Sequence, residues 1–340
     1  MTGESQSKVV VLDVFGGDQG PDVILGGALK ACDPKGKHAI DPARILLVGD
    51  EKRIAEGLQS LGGNPGFGIL HASQVIGMDE KPAAALRSKR DSTIVVGTQA
   101  VRSGAAGAFV SMGSTGAVVG AGTLMLRTLE GVRRPAIAVT LELTGKPLTI
   151  LDMGANIAAT PEDLVAYGVM GSVLQSHVLD VPTPRVGLLN IGEEPGKGTD
   201  LLKETYGMMG SAPLEFTGNI EGADLFNGSV DVVVTDGFTG NICLKLMEGM
   251  AGFMLGMFSK ALAPERGSKE AQALGAVHRK VDYSEYGGAL LLGVKGTVVI
   301  GHGRSDENAV SNALGLATRA LDREVNRDIV AGMAAVASAN

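Results

Sequence analysis

Residues 9–21 read VVVLDVFGGDQGP, an apolar run that ends in a glycine-rich turn and is followed by proline. The run over 9–14 is rich in β-branched residues, which favour a strand. Pro21 suits the first turn of a helix, and the apolar spacing after it predicts a helix over 21–32. The stretch therefore predicts a strand, a tight turn and a helix, the repeating unit of a parallel sheet.

The same alternation continues along the chain. The predicted strands are 9–14, 44–48, 68–71, 108–111, 185–190, 231–235 and 297–300, with a hairpin of 136–143 and 148–152. The predicted helices are 21–32, 50–61, 92–102, 115–129, 161–179, 242–262 and 306–323, and Thr160 is expected to cap 161–179. Such alternation is typical of a mostly parallel sheet with helices on both faces. We expect a three-layer α/β/α fold in a single domain over 1–340, with a helical projection over 242–285.

Composition excludes several classes of protein. The net charge is −7, aromatic residues make up 4% and there is no Trp, which argues against a nucleic-acid binder. Cys32 and Cys243 belong to no CxxC motif, and two unpaired thiols fit a cytoplasmic protein. The uncharged stretch 103–126 is long enough to span a bilayer. Its many glycine, serine and threonine residues favour a strand, a turn and a buried helix instead.

Four predicted strands end in a cluster of glycine and polar residues that opens a helix. The candidate phosphate- or carboxylate-binding residues there are Gly16, Gly17, Asp18, Ser114, Thr115, Gly116, Asp236, Gly237, Thr239, Gly240 and Asn241. Glycine lets the backbone approach a ligand, and helix N-termini offer free N–H groups to an anion. For any single turn, an ordinary tight turn or helix cap is the better explanation, but at least one of the four is expected to bind a ligand. His302 lies in the fourth turn, where it could bind an anion, transfer a proton or brace the turn.

The known nucleotide and metal motifs do not fit. Residues 192–198 are one residue too short for a phosphate-binding loop, and Gly198 stands where Ser or Thr would hold magnesium. The turn over 301–306 lacks the third glycine of the dinucleotide fingerprint, and no HExxH or GxSxG occurs. Neither ATP nor NAD is therefore indicated, and no metal site is expected. Asn156, Asn190 and Glu193 place polar groups after two further strands, where either substrate binding or turn formation is open.

Taken together, these segments resemble the phosphate acyltransferases of bacterial phospholipid synthesis (PlsX-type). The matching stretches are LDVFGGDxGP at 12–21, HASxVIGMD at 71–79, DxGAN at 152–156, VGLLNIGEE at 186–194 with Lys197-Gly198, VxTDGFTGN at 233–241 with Lys245, GGAxLLG at 287–293, and His302-Gly303. The resemblance covers about 8–320. Three positions depart from the family pattern: Phe15 replaces Met, Ser114 replaces Asn, and Ala158 replaces Asp.

The resemblance implies transfer of a fatty acyl group from acyl carrier protein to inorganic phosphate, giving an acyl phosphate. A membrane glycerol-3-phosphate acyltransferase would then consume that product. It also implies a fold like those of phosphotransacetylase and the isocitrate/isopropylmalate dehydrogenases, a homodimer, no organic cofactor and peripheral contact with the membrane. Asn156, Lys245 and His302 are the expected catalytic residues, and Asn190, Glu193 and Lys197 join the substrate-binding residues named above. Phosphate is already a nucleophile at neutral pH, so direct attack without an acyl-enzyme is expected.

Other interpretations remain at this point. The enzyme could use acyl-coenzyme A, as phosphotransacetylase does, or it could be an isocitrate-type dehydrogenase. Ser114 and Ala158 favour a third alternative, a catalytically silent scaffold for lipid-synthesis enzymes. The predicted helix 242–262 carries a wide apolar face, including Leu246, Met250 and Phe253, at helical spacing. Core or dimer packing explains this face, and contact of its far end with a bilayer or an acyl chain is the alternative.

Overall fold

The computed structural model describes residues 7–263, 265, 267–281, 285 and 287–339. The internal contacts of these residues divide the chain into two compact units. The first unit comprises 7–135 and 287–331, and the second comprises the described residues of 136–285 and 332–339. The single domain over 1–340 stays a prediction, as does a projection over 242–285, of which 264, 266 and 282–284 lie outside the described residues.

The first unit is a mostly parallel sheet with helices around it. Its elements are β1 (Val10–Asp13), α1 (Pro21–Ala31), β2 (Ile45–Gly49), α2 (Glu51–Ser60), β3 (Gly68–His71), α3 (Pro82–Ser88), α4 (Thr93–Arg102), β4 (Ala108–Ser111), α5 (Thr115–Ala121), β10 (Ala289–Leu292), β11 (Thr297–Ile300) and α10 (Glu307–Asp322). The strands lie in the order β3-β2-β1-β4-β11-β10, and only the last pair is antiparallel. Every residue of β1 and β4 is buried, because α4 and α10 both pack against these two strands.

The second unit is built in the same way. Its elements are β5 (Ala136–Glu142), β6 (Pro147–Leu151), α6 (Pro161–Val178), β7 (Arg185–Leu189), α7 (Asp200–Ser211), β8 (Glu215–Ile220), β9 (Val232–Val234), α8 (Gly237–Leu262) and α9 (Lys269–Val281); α11 (Val325–Ala339) closes the chain. The strand order is β5-β6-β9-β7-β8, with an antiparallel β5–β6 hairpin and parallel pairs elsewhere. The mixed α/β fold with a mostly parallel sheet is therefore confirmed.

Helix α6 shows how the local sequence specifies an element. Thr160 accepts a hydrogen bond from the Asp163 N–H, Asp163 accepts one from the Thr160 N–H, and Pro161 occupies the first turn. This reciprocal cap satisfies N–H groups that no helical carbonyl can reach. The predicted cap at Thr160 is confirmed.

Several sequence-based bounds were wrong. Helix α8 begins at Gly237 and not at 242, so Phe238 to Asn241 belong to its first turns and not to a loop. The helix predicted over 115–129 is α5 followed by a π-helical turn, Gly122–Leu126. Strand β8 was missed because Gly218 and Asn219 interrupt its apolar pattern. The other elements not predicted were β10, α3, α7, α9 and α11.

The apolar face of α8 is exposed to solvent. Leu246 is 67% exposed, Met250 53% and Phe253 63%. Among the described residues, α8 alone is long and apolar enough to cross a membrane, and none of its most apolar stretch is buried. Packing of this face against the described residues of the same chain is thereby excluded, and dimer packing or contact of its far end with a bilayer or an acyl chain remains.

One ion pair holds the amino ends of three strands together. Asp231 accepts hydrogen bonds from the Arg185 backbone N–H (2.9 Å), Nε (2.9 Å) and Nη2 (3.0 Å), which connects β9 to β7. The Asp231 carbonyl accepts from Thr149 N of β6 and from Gln175 Nε2 of α6. Although burial raises the pKa of the Asp231 carboxyl, the hydrogen bonds and charge of Arg185 outweigh it, so the pKa lies below 3.8.

We predict that Asp231→Ala lowers the free energy of unfolding by about 2–3 kcal/mol at pH 7, because the Nε and backbone N–H groups of Arg185 lose the acceptor that Asp231 provides. A lowered carboxyl pKa stabilises the fold above the unfolded value and is lost as the pH falls through the folded value. The difference between wild type and variant should therefore close below pH 3.8. Urea unfolding at a series of pH values measures it.

Glu56→Ala is the matched control, because Glu56 makes only an exposed pair with Lys52 at 3.9 Å. This change should cost less than about 0.5 kcal/mol. An equal cost for both variants would contradict the role given to Asp231.

Candidate active site

A buried carboxylate organises the turn that follows β1. Asp13 is fully buried, and its Oδ1 accepts hydrogen bonds from the N–H groups of Phe15 (3.2 Å) and Gly16 (3.0 Å). Its Oδ2 accepts from Ser111 Oγ of β4 at 2.8 Å. Burial raises the pKa of this carboxyl, and the hydrogen bonds oppose that rise. The Asp13 carboxylate therefore fixes the backbone of the glycine turn and connects it to the neighbouring strand β4.

Three turns of the first unit meet at the carboxyl edge of its sheet. A Cβ atom at Gly16 would lie 2.7 Å from Asp13 Oδ2 and 2.9 Å from Gly113 N, so the turns after β1 and β4 touch. The Asp18 N–H donates to Gly303 O at 2.7 Å, which joins the turn after β11. The structure thus brings together three of the four predicted glycine turns.

The predicted site residues of the first unit differ in exposure. Asp18, Thr115, Gly116 and His302 are exposed, whereas Ser114 is buried at the N-cap of α5. Nδ1 of His302 accepts a hydrogen bond from the Arg304 N–H at 3.1 Å. This contact matches the bracing role that the sequence left open, and it leaves Nε2 for other partners.

A second buried carboxylate, Asp152, organises the turn after β6. Its Oδ1 accepts from the N–H groups of Ile137 (2.9 Å), Gly154 (3.1 Å) and Ala155 (2.9 Å), and its Oδ2 accepts from Asn156 N–H at 2.7 Å. Burial again raises the carboxyl pKa against the effect of these four bonds. The oxygens of Asp152 are occupied by the protein, so the side chain shapes the turn and does not face a substrate.

The amino end of α8 packs directly on this turn. Gly237 N–H donates to Asn156 O at 2.8 Å, and a Cβ at Gly154 would lie 3.4 Å from Cβ of Asn241. The Asn156 side chain is itself held, because its Nδ2 donates to Tyr167 Oη at 3.0 Å. Asn156, Gly237 and Asn241 are therefore neighbours, as the sequence predicted for residues of one site.

Asp236 caps α8. Its Oδ1 accepts from the N–H groups of Phe238 and Thr239, both at 3.0 Å, and its Oδ2 accepts from Thr239 Oγ1 at 2.7 Å. The Gly240 N–H donates to Asp236 O. These N–H groups were expected to be available to an anion, and the structure shows them paired within the protein.

The loop after β7 is held by Asn190. Its Nδ2 donates to Lys197 O at 3.1 Å, and its Oδ1 accepts from Ile191 N–H at 2.8 Å. Glu193 and Lys197 are exposed on this loop. Because β7 is the parallel neighbour of β9, the loop follows the same edge of the second unit's sheet as the start of α8.

Lys245 lies two turns into α8. Its Nζ donates to Glu248 Oε2 at 2.9 Å, and its side chain is 60% exposed. Glu248 therefore holds the Lys245 side chain toward the following turn of α8 and not toward its first turn. Among the described residues, no three His, Cys, Asp or Glu side chains cluster as metal ligands.

Comparisons with known proteins assign the chain to a family. The family model described as "Fatty acid synthesis protein" matches residues 8–328. A phosphate acyltransferase of Desulforamulus reducens is 42% identical over 318 residues, covering 92% of this chain and 94% of the relative. The phosphate acyltransferase of Heliobacterium modesticaldum is 43% identical over 321 residues, with 92% and 94% covered. The chain belongs to this family of phosphate acyltransferases. It is an enzyme, and the resemblance drawn from its motifs is confirmed.

Solved structures support the fold. A phosphotransacetylase from Streptococcus pyogenes superposes with a TM-score of 0.60 at 18% identity, covering 92% of this chain and 94% of the other. A branched-chain phosphotransacylase from Enterococcus faecalis gives 0.55 at 17% identity, with 92% and 99% covered. At such identities the likeness shows the fold alone, and that fold is the phosphotransacetylase-like one expected for the phosphate acyltransferase.

Sequence reasoning missed the residues that support the site. Asp13, Ser111 and Tyr167 were not singled out, although Asp13 is an acid within a buried strand and such an acid needs several donors. Tyr167 looked like one more apolar position of a long helix. Its contact with Asn156 joins α6 to the turn after β6 and has no signal in the local sequence.

We predict that Gly237→Ala in this phosphate acyltransferase lowers activity at least about tenfold. A Cβ there would lie 2.6 Å from Asn156 O and 2.6 Å from Asp152 Oδ2, neither of which can move without breaking the turn. Initial rates of acyl phosphate formation and thermal unfolding measure the effect.

Gly207→Ala in α7 is the control, since no described atom lies within 4 Å of its Cβ position and it has no proposed role. Alanine should stabilise α7 there by up to about 1 kcal/mol and leave the rate unchanged. Equal rates for Gly237→Ala and wild type would refute the close contact.

Proposed function

We propose that this phosphate acyltransferase moves a fatty acyl group from acyl carrier protein to inorganic phosphate. An oxygen of phosphate attacks the thioester carbonyl, the carbon–sulfur bond breaks, and the carrier leaves as a thiol. The products are an acyl phosphate and free carrier protein. The observation that carries the proposal is the match to phosphate acyltransferases over 92% or more of the chain, together with a family model over residues 8–328 that includes every turn described above.

Asn156 is proposed to donate a hydrogen bond to the oxyanion that forms on the carbonyl. Its backbone N–H is held by Asp152 and its Nδ2 by Tyr167, so its position is fixed before substrate binds. A donor fixed in advance stabilises developing charge without reorganisation. Nδ2 carries two hydrogens, so one keeps its bond to Tyr167 Oη while the other donates to the oxyanion.

Lys245 is proposed to stabilise phosphate by its charge. It is exposed, and its pair with Glu248 is a surface pair of small net stability, so leaving it costs little. Asn190, Glu193, Lys197, Asn241 and His302 remain proposed substrate-binding or proton-transfer residues. For the first unit, the glycine turn 16–18 leads into α1, whose N-cap Gly20 brings no side-chain cap, and such a helix start suits an anion.

The chemistry around Cys243 supports direct attack without an acyl-enzyme. This thiol is half-buried, and burial, aided by the negative charge of Asp236, raises its pKa. A thiol whose pKa is raised supplies little thiolate at neutral pH and is a poor nucleophile. Phosphate needs no such activation.

A homodimer and peripheral contact with the membrane are proposed from the exposed face of α8. Apolar side chains that are half or more exposed follow one another from Ile242 to Leu262. A second copy would cover part of this face, and the end at Met257 and Phe258 is suited to a bilayer surface. The enzyme would then be cytoplasmic, and it would release acyl phosphate close to the membrane glycerol-3-phosphate acyltransferase that uses it.

An acyl-coenzyme A donor is the second candidate, because the chain shares its fold with phosphotransacetylases. The same assay distinguishes the two donors. We expect hydroxylamine to trap acyl hydroxamate when the protein is incubated with hexadecanoyl carrier protein and phosphate, and not when phosphate is omitted. If only acyl-coenzyme A gave product with phosphate, coenzyme A would replace carrier protein in the proposed donor. No product from either donor would refute the proposed reaction.

We predict that Asn156→Ala lowers kcat by about 100-fold, as loss of an oxyanion donor does, with little change in KM. Lys245→Met should mainly raise the KM for phosphate. Lys260→Met on the same helix is the control, since Lys260 is exposed and distant in sequence from the first turn. Full activity of both Asn156→Ala and Lys245→Met would refute the roles proposed for these two residues.

A further inference from the structure

Three large apolar side chains are exposed to solvent at the proposed site of the second unit. Ile157 is 76% exposed, Ile191 81% and Phe238 60%. Each directly follows a predicted site residue, namely Asn156, Asn190 and Gly237. Single exposed apolar residues are ordinary, but a group of them beside polar groups marks a binding surface.

The sheet places these three residues side by side. Strand β9 lies between β6 and β7, and all three run parallel, with Val234 opposite both Leu151 and Leu188. Their carboxyl ends therefore share one edge. The bond from Gly237 N–H to Asn156 O places Ile157 next to Phe238, and Ile191 follows at the end of the next strand.

The fold does not require apolar residues at these positions. The turns are held by Asp152, Asn190 and Asp236, whose side chains bond the backbone of each turn. A polar residue at 157, 191 or 238 would preserve these bonds and would avoid exposing apolar surface to water. The three residues are therefore explained by an apolar ligand and not by folding.

We propose that Ile157, Ile191 and Phe238 form the surface that binds the acyl chain of the substrate next to its thioester, and that they set the preference for long chains. This inference rests on the proposed function, transfer of a fatty acyl group. Ile242 and Leu246 continue the surface one and two turns along α8, with 51% and 67% of each exposed. Phe238 to Leu246 spans about 12 Å at the helical rise of 1.5 Å per residue. The part of the acyl chain distant from the thioester can therefore extend along the helix as far as Leu246.

The test compares long and short acyl chains on the same enzyme. Ile157→Ser and Ile191→Ser remove exposed side chains only, so both variants are expected to fold like wild type. Leu124→Ser is the matched control, because Leu124 is 73% exposed in the first unit and has no proposed role. Rates are measured with hexadecanoyl and butanoyl carrier protein.

We expect each variant at 157 or 191 to lower kcat/KM for the hexadecanoyl substrate about tenfold, with less than about a twofold change for butanoyl and none for the control. Equal loss with both chain lengths, or no loss with either, would overturn the proposal. A variant that becomes monomeric with unchanged chain preference would assign the surface to a second copy instead.

A binding measurement separates this inference from the proposed reaction. Decyl phosphonate and methyl phosphonate are titrated calorimetrically below the micelle concentration. Preferred binding of the decyl compound to wild type, lost about tenfold in Ile191→Ser, supports an acyl-chain surface even if no transfer to phosphate is detected. Equal affinity of wild type and Ile191→Ser for decyl phosphonate overturns it, whatever the enzyme assay shows.

Discussion

Both units depend on a buried carboxylate at the end of a strand. Asp13 and Asp152 are each taken out of water, which raises the pKa of both groups and costs free energy. That cost is offset because hydrogen-bond donors converge on the oxygens, namely N–H groups of the following turn at both carboxylates, Ser111 Oγ at Asp13 and the Ile137 N–H at Asp152. The dependence runs in both directions. Without the carboxylate, two amides beside Asp13 or four beside Asp152 would lack their acceptor, at about 1–3 kcal/mol for each one left buried.

This arrangement explains why the site residues are placed firmly although they lie on turns. The Asn156 N–H donates to Asp152, so any shift of Asn156 weakens a hydrogen bond to the buried carboxylate. The side chain of Asn156 is held by Tyr167, a fully buried residue of α6. The amino end of α8 then packs against Asn156 O through Gly237. Rigid support of this kind is what preorganised stabilisation of an oxyanion needs.

The sequence was sufficient for the elements whose signal is local. Apolar runs such as those of β1 and β4 predicted strands, and Thr160 with Pro161 predicted the start of α6. It failed where a contact from elsewhere decides the structure. Gly237 and Gly240 look like loop residues, yet they are glycine because α8 begins against Asp152, where a Cβ would collide. Asp236 looked like a ligand for substrate, and only the structure shows that backbone N–H groups already bond its Oδ1.

Helix α8 contains two kinds of glycine, and their difference argues for a partner. Gly237 and Gly240 are crowded by the turn after β6, so their lack of a side chain is used within the chain. Gly249, Gly252 and Gly256 have no described atom within 4 Å of their Cβ positions. Each lowers helix stability by about 1 kcal/mol relative to alanine. No contact within the described part of the chain requires glycine at these positions. Glycine lets another surface come close to the backbone of α8. A helix of a second copy would need such close approach, whereas a fluid bilayer would not. The three glycines are thus consistent with the proposed second copy along the middle of α8, and such a partner would leave the apolar residues nearest Asn156 to the proposed acyl chain.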